Sequence, residues 1–314
     1  MNIGIDLGGT NIAAALVDSS GEILKRTSIR TNVSGGAKTV VNGLVSVCDL
    51  LLRNTTEQLS MIGIGVPGTV NAETGEVVFT PNLPLSRIHL ANELAKKFGC
   101  AVKLGNDANC AALGEALVGG AKGAKDVVFI TLGTGVGGGV IIGGKLITGV
   151  SGAACELGHT VIIAGGRKCG CGRQGCWETY ASAEGIVRTA VEIIGGYKES
   201  LLWERCDGFA ERLDGKAVFE VYRSGDEAAQ IIVKKYVEHL GAGITNVVNA
   251  LEPELICIGG GLSNAWDCLS EPLNKIVNAE KFYRFSPDAP QTKIVKAKLG
   301  NDAGIIGAAS LAND

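Results

Sequence analysis

Three thiols and an imidazole fall within one short stretch of this 314-residue chain, in the run His159…Cys169-Gly170-Cys171-Gly172-Arg173-Gln174-Gly175-Cys176-Trp177-Glu178. That donor set matches a tetrahedral Cys3His zinc site, and the intervening glycines let so short a loop wrap an ion. His159, Cys169, Cys171 and Cys176 are therefore the candidate metal ligands. The other seven cysteines are scattered along apolar stretches and read as small core residues. Glu156 and Glu178 bracket the loop. Carboxylates fixed beside a rigid site are suited to accept hydrogen bonds from ligand hydroxyls, although an unplaced glutamate is more often a surface acid.

A second kind of chemistry lies in glycine turns that directly follow apolar strands. Asp6-Leu7-Gly8-Gly9-Thr10-Asn11 is the first, Gly133-Thr134-Gly135 the second and Gly259-Gly260-Gly261 the third. Glycine removes the Cβ atoms that would keep a phosphate away, so backbone N–H groups can point at the anion. Thr10 and Asn11 add side-chain donors. Asp6 could hold the water shell of Mg2+, a cation that keeps most of its waters. A single such turn could be a plain hairpin; three in one chain favour phosphate binding. No Walker lysine pattern is present, and a strand follows residues 133–138 where a dinucleotide fingerprint needs a helix. Asn106-Asp107 opens an alanine-rich helix. The pair reads either as an N-cap or as a general base for a hydroxyl, and the two readings are compatible.

These groups need elements to hold them. Strands are expected at 2–6, 12–18 and 22–30, then a helix over 39–52 with Val40, Val41, Leu44, Val47 and Leu51 at helical spacing. A short buried strand at 62–66 closes at Pro67-Gly68, and the helix after Asp107 runs to about Val118. Residues 127–132 form a strand, 133–139 a turn, and 140–147 a hairpin. A long helix spans 227–250 before the strand at 255–258, and a last helix follows Asp302. The order strand, glycine turn, strand, turn, strand occurs twice, which suggests a duplicated fold. Hinges are expected near residues 105–120 and 299.

A net charge of −3 offers no basic face for nucleic acid or anionic lipid. Glycine, at 46 residues, is about twice its usual share, which suits backbone brought close to ligands. The amino terminus lacks the features of a secretory signal. Residues 127–144 approach membrane length without a charge, but seven glycines there fit strand–turn–strand better. A cytoplasmic protein with no nucleic-acid or membrane partner is the expectation, and in that compartment clustered cysteines read as ligands.

Residues 6–10, Asn106-Asp107, residues 133–139, Glu156-Leu157-Gly158-His159, the cysteine run and residues 259–261 stand in the order seen in the ROK family of bacterial repressors, open reading frames and sugar kinases. The chain resembles that family over essentially its whole length. The resemblance implies an α/β, actin-like (ribonuclease H-like) duplicated two-lobe ATPase fold with a cleft between the lobes. Lobe boundaries are expected at 1–107 plus 299–314 for a small lobe and 108–298 for a large lobe carrying the zinc loop. It implies transfer from ATP with Mg2+ to the 6-hydroxyl of a free hexose, glucose first, with N-acetylmannosamine, fructose or allose as alternatives.

In that picture Asp107 is the base. Asn106, Glu156, His159 and Glu178 contact the sugar, joined by Gly68 and Asn82. The first two glycine turns (Asp6, Gly8, Gly9, Thr10, Asn11; Gly133, Thr134, Gly135) take the phosphates. Gly260 and Gly261 face the adenosine, and structural Zn2+ orients His159. A homodimer or homotetramer is implied as well. Cys155 stands where many members carry glycine, for which a change in packing only is expected. A sugar-responsive repressor is the non-enzymatic alternative. Such relatives place a winged helix-turn-helix of roughly 80 residues before the first strand, which here begins at residue 2, so that reading is disfavoured.

Overall fold

The computed structural model describes residues 1–55, 58–285 and 291–311. Two compact units make up the chain. The first contains Met1–Phe129, Gly139–Cys155 and Ala297–Asp314, and the second Ile130–Gly138 and Glu156–Lys296. This division differs from the expected 107/108 and 298/299 boundaries. The helix after Asp107 and the hairpin beyond residue 139 pack with the first unit, and residues 312–314 of the expected small lobe lie outside the described residues.

The first unit begins β1 (Asn2–Leu7), β2 (Asn11–Val17), β3 (Ile23–Arg30), α1 (Ala37–Leu52) and β4 (Met61–Val66). A small hairpin, β5 (Thr69–Asn71) and β6 (Glu76–Phe79), leads to α2 (Leu90–Phe98), β7 (Ala101–Asn106) and α3 (Asp107–Leu117). The sheet order is β3-β2-β1-β4-β7, antiparallel on the β2 side of β1 and parallel on the β4 side. β4 is buried along its whole length, as a parallel strand covered on both faces must be. β3 forms the edge, and its exposed Lys25 and Arg26 protect it from pairing with another chain. α1 buries Val40, Leu44, Val47 and Leu51, one stripe of an amphipathic helix, in the core beneath this sheet.

Then follow β8 (Val127–Leu132), β9 (Val136–Ile142) and β10 (Lys145–Leu146), with α4 (Glu178–Ala181), α5 (Ala183–Ile194), α6 (Leu202–Arg205), α7 (Gly215–Arg223), α8 (Glu227–Leu251), β11 (Leu255–Gly259), α9 (Trp266–Glu280), β12 (Lys293–Lys296) and α10 (Asp302–Ala308). The second sheet runs β10-β9-β8-β11-β12, antiparallel between β9 and β10 and parallel between β11 and β12. With only the strands of each sheet numbered, in chain order, both sheets read 3-2-1-4-5, so the repeat seen in the glycine turns extends to topology. The expected turn over 133–139 is shorter than thought, because Gly137, Gly138 and Gly139 are already strand.

α10 closes the first unit by lying directly on backbone. A Cβ at Gly4 would fall 1.9 Å from the Ile305 carbonyl oxygen, one at Gly63 1.7 Å from that of Ala308, and one at Gly307 1.6 Å from that of Cys110 in α3. Here glycine is required by space rather than by backbone angle. The same region holds a fully buried carboxylate: Glu115 accepts N–H groups from Gly120 (2.6 Å), Lys298 (3.0 Å) and Leu299 (2.7 Å). These charge-assisted bonds tie the returning chain to the end of α3. Gly307→Ala is expected to lower stability by more than about 3 kcal/mol, since neither backbone can move aside, and denaturant unfolding of the variant measures it.

Candidate active site and metal centre

In the first unit, β1 delivers Asp6 to the strand end and the chain then turns. Gly8 N–H donates to the Asn11 carbonyl at 2.9 Å, and Thr31 holds the turn from behind through Gly8 O (2.7 Å) and Thr10 O (2.8 Å). Gly9, Thr10 and Asn11 are exposed. Asn106 is the N-cap of α3, its side-chain oxygen accepting the Asn109 N–H at 3.1 Å while its amide donates to Gly68 O at 3.1 Å. Asp107 is therefore the first helical residue rather than the cap. One of its oxygens takes the Ala108 N–H at 2.8 Å, and the helix N-terminus favours the ionised carboxylate. Gly68 adopts φ 126°, and a Cβ there would meet the Phe79 carbonyl at 2.2 Å.

Asn82 is exposed, and its Cβ would lie 3.9 Å from a Cβ at Gly9. The turn that carries it is closed by Thr80, a buried residue whose hydroxyl donates to Leu83 O at 2.5 Å and whose N–H bonds Ser86 Oγ at 3.1 Å. Sequence reasoning missed Thr80, which has no signal apart from its place before Pro81. Burial first, and then the charge of Asp107, pushes the Asp6 carboxyl up to about 6. So the expected Asp6 and Asp107 are close enough to repel, and a divalent cation would relieve both.

In the second unit, the turn of Gly133, Thr134 and Gly135 sits at the end of β8, closed by Gly133 N–H to Gly135 O at 3.0 Å. Gly260 (φ 81°) leads out of β11 against it, where a Cβ would lie 2.5 Å from the Leu132 carbonyl. Nothing stands within 4 Å of a Cβ position at Gly133 or Gly261, so both border open space. Five predicted residues thus share the carboxyl ends of β8 and β11, the usual place for a ligand in such sheets. Glu178 faces the same turn: its Oε2 accepts the Val136 N–H at 3.1 Å.

The four metal-ligand candidates converge, with one donor atom from each of His159, Cys169, Cys171 and Cys176 all within 4.8 Å of one another. His159 Nδ1 is 3.6 Å from Cys169 Sγ, and Cys171 Sγ is 3.7 Å from Cys176 Sγ. Donors bound to one tetrahedral ion stand roughly 3.5–3.8 Å apart, so the quartet fits a metal. His159 turns Nδ1 to the thiols, which leaves Nε2 for another partner. Cys176 is buried and Cys171 exposed; Glu156 is exposed just before the short turn of helix Leu157–His159.

The loop is fastened by groups that sequence reasoning also missed. Arg167 donates its N–H to Tyr180 Oη (2.7 Å), lies over that ring at 4.6 Å, and bonds Thr179 O, Gly185 O and Glu192. Cys155 corrects one expectation. It stands at φ 66°, so its cost is backbone strain and not packing alone.

A duplicated 3-2-1-4-5 sheet with glycine turns at the strand ends defines an actin-like, two-lobe α/β protein. The chain belongs to the ROK family, whose model matches residues 2–314. It is 39% identical over 311 residues to a glucokinase of Thermotoga maritima, covering 98% of this chain and 96% of that one. It is 40% identical over 309 residues to a glucokinase of Halalkalibacterium halodurans, covering 97% and 92%. Among solved structures, a ROK family glucokinase from Streptomyces griseus in complex with glucose and AMPPNP superposes with a TM-score of 0.80 at 34% identity, covering 99% and 98% of the two chains. Among the described residues no helix is long and apolar enough to cross a membrane.

Two outcomes test this geometry. Metal analysis of the purified protein is expected to find about one divalent ion per chain, lost in Cys176→Ser. The raised Asp6 value means that its contribution to stability is full below about pH 4 and falls as pH rises through about 6. Asp6→Asn should therefore gain stability over the wild type at pH 7 and not at pH 4, as read from denaturation midpoints.

Proposed function

We propose that this chain is an ATP-dependent hexose 6-kinase acting on glucose. The observation that carries the reading is near-full-length similarity to glucokinases at 39–40% identity, in a chain that retains a carboxylate at the start of α3. Asp107 accepts the proton as the 6-hydroxyl attacks. The O–H bond of the sugar breaks, an O–P bond forms to the γ-phosphorus, and the bond from that phosphorus to the bridging oxygen breaks to release ADP. An alcohol is a weak nucleophile, so alignment and proton removal are what the protein must supply.

Asn106, Asn82 and Gly68 are read as sugar contacts, and Gly8, Gly9, Thr10 and Asn11 as phosphate contacts. Asp6 would hold the waters of Mg2+, which when bound neutralises phosphate charge. Glu156, Glu178 and His159 Nε2 are read as partners of sugar hydroxyls, Gly133, Thr134 and Gly135 as phosphate contacts, and Gly260 and Gly261 as adenosine contacts. His159, Cys169, Cys171 and Cys176 would hold Zn2+, the ion suited to a thiolate-rich tetrahedral set. Four protein donors would leave no position on the ion for substrate, and its role would be to fix the imidazole that meets the sugar. A cytoplasmic homodimer or homotetramer completes this reading.

A hexose panel with ADP detection is expected to show glucose turned over best among glucose, N-acetylmannosamine, fructose and allose; no turnover of any of them would overturn the assignment. Asp107→Ala should keep its fold and sugar binding and lose on the order of 10²–10⁴ in kcat, and near-normal turnover would remove it as the base.

A further inference from the structure

The last metal-ligand candidate is followed at once by an anchor and then by a grip on the second glycine turn. Trp177, after Cys176, is fully buried and donates its indole N–H to His239 O at 3.0 Å. Its ring lies against Gly243 of α8, where a Cβ would fall 2.0 Å from Cε2. α4 starts at the next residue. Glu178 Oε2 takes the Val136 N–H at 3.1 Å, just past one end of the turn, and Ala183 N–H donates to Gly133 O at 2.9 Å at the other end. A Cβ at Gly135 would strike the same Glu178 oxygen at 2.2 Å. The other oxygen, Oε1, is 3.7 Å from Cys169 Sγ. Residues 176–183 therefore touch the metal quartet and both ends of the turn.

We propose that this segment couples the metal to the nucleotide: ion binding at the quartet sets the shape of the turn of Gly133, Thr134 and Gly135, and Glu178 is a positioning residue for the phosphates as well as a sugar contact. The inference rests on reading that turn as a phosphate site. A glycine turn is free to adopt many backbone conformations and binds an anion well only when its N–H groups are held in one. Two bonds fix both ends, one from Glu178 at the start of α4 and one from Ala183, the first residue of α5. α4 has four residues, too few to be stable alone, so its position is set by its neighbours: the Trp177 anchor and the loop gathered by the metal before it, and the Tyr236 hydroxyl of α8, which donates to Ala181 O at 3.0 Å. Release of the ion frees Cys169 and Cys176 together, and the grip on the turn loosens.

The test is binding of a non-hydrolysable ATP analogue with Mg2+, without sugar, by calorimetry, alongside amide exchange at Val136 and Ala183. Metal-loaded Glu178→Ala should retain its ion and bind the analogue about tenfold or more weakly, the loss of one charge-assisted bond. Glu178→Gln keeps an acceptor for Val136 N–H and should stay within about threefold of the wild type. Metal-stripped protein should behave like Glu178→Ala, with faster exchange at both amides. Equal affinity in loaded wild type and loaded Glu178→Ala overturns the coupling, and this arm holds even if stripping unfolds the chain. If loaded wild type binds no analogue, the phosphate reading of the turn is the part that fails. The exchange data then decide the link by themselves, with unchanged exchange at Val136 in Glu178→Ala overturning it.

Discussion

Close approach of one backbone to another, or of a large side chain to a backbone, is the constraint on which this molecule is built. α10 meets β1, β4 and α3 at carbonyl distance through Gly4, Gly63 and Gly307. Trp177 lies on Gly243, Glu178 on Gly135, and Gly260 on the end of β8. In each case the missing Cβ lets a rigid element sit where a side chain would hold it away. The high glycine content is thus a packing device. It carries the entropic cost that glycine imposes on any folded chain, which the surrounding contacts must offset.

The charges tell a complementary story. Asp6 is held half-buried near Asp107, which raises its pKa to about 6, a cost that a cation would reverse. Glu115, fully buried, has three backbone N–H groups aimed at it. One carboxylate is left short of partners where a substrate-borne ion is expected, and the other is satisfied by protein alone where only structure is needed. Perturbed groups at strand ends are what a site that manages negative charge should contain.

Elements bounded by glycine and rich in β-branched residues were legible from the sequence: β1, β2, β8 and β11 lie within a residue or two of their expected limits, as does α8. The metal quartet was legible because donor type and spacing together leave few alternatives. β7 was not, since Ala-Val-Lys-Leu-Gly-Asn buries only Leu104 and Gly105 fully and its pairing with β4 is set by tertiary contact. The two-unit boundary was misplaced because α3 reads as the start of a new lobe, whereas its packing partner α10 is nearly 200 residues away. Glu178 was assigned to the sugar alone, because nothing local announces a bond to Val136, 42 positions earlier. The strain at Cys155 was equally silent, for a side chain's identity does not reveal its φ.

The tie between Glu115 and the returning chain has a consequence for biosynthesis. A ribosome delivers the first sheet, α1 and α3 long before residues 298 and 299 exist to satisfy that carboxylate, and before α10 exists to cover β1 and β4. The nascent amino-terminal half must therefore wait with an apolar sheet face open, while residues 156–296 already form most of their own unit. Contacts of such long sequence separation are slow to form and leave intermediates exposed to aggregation, and for this chain that interval lasts until α10 docks.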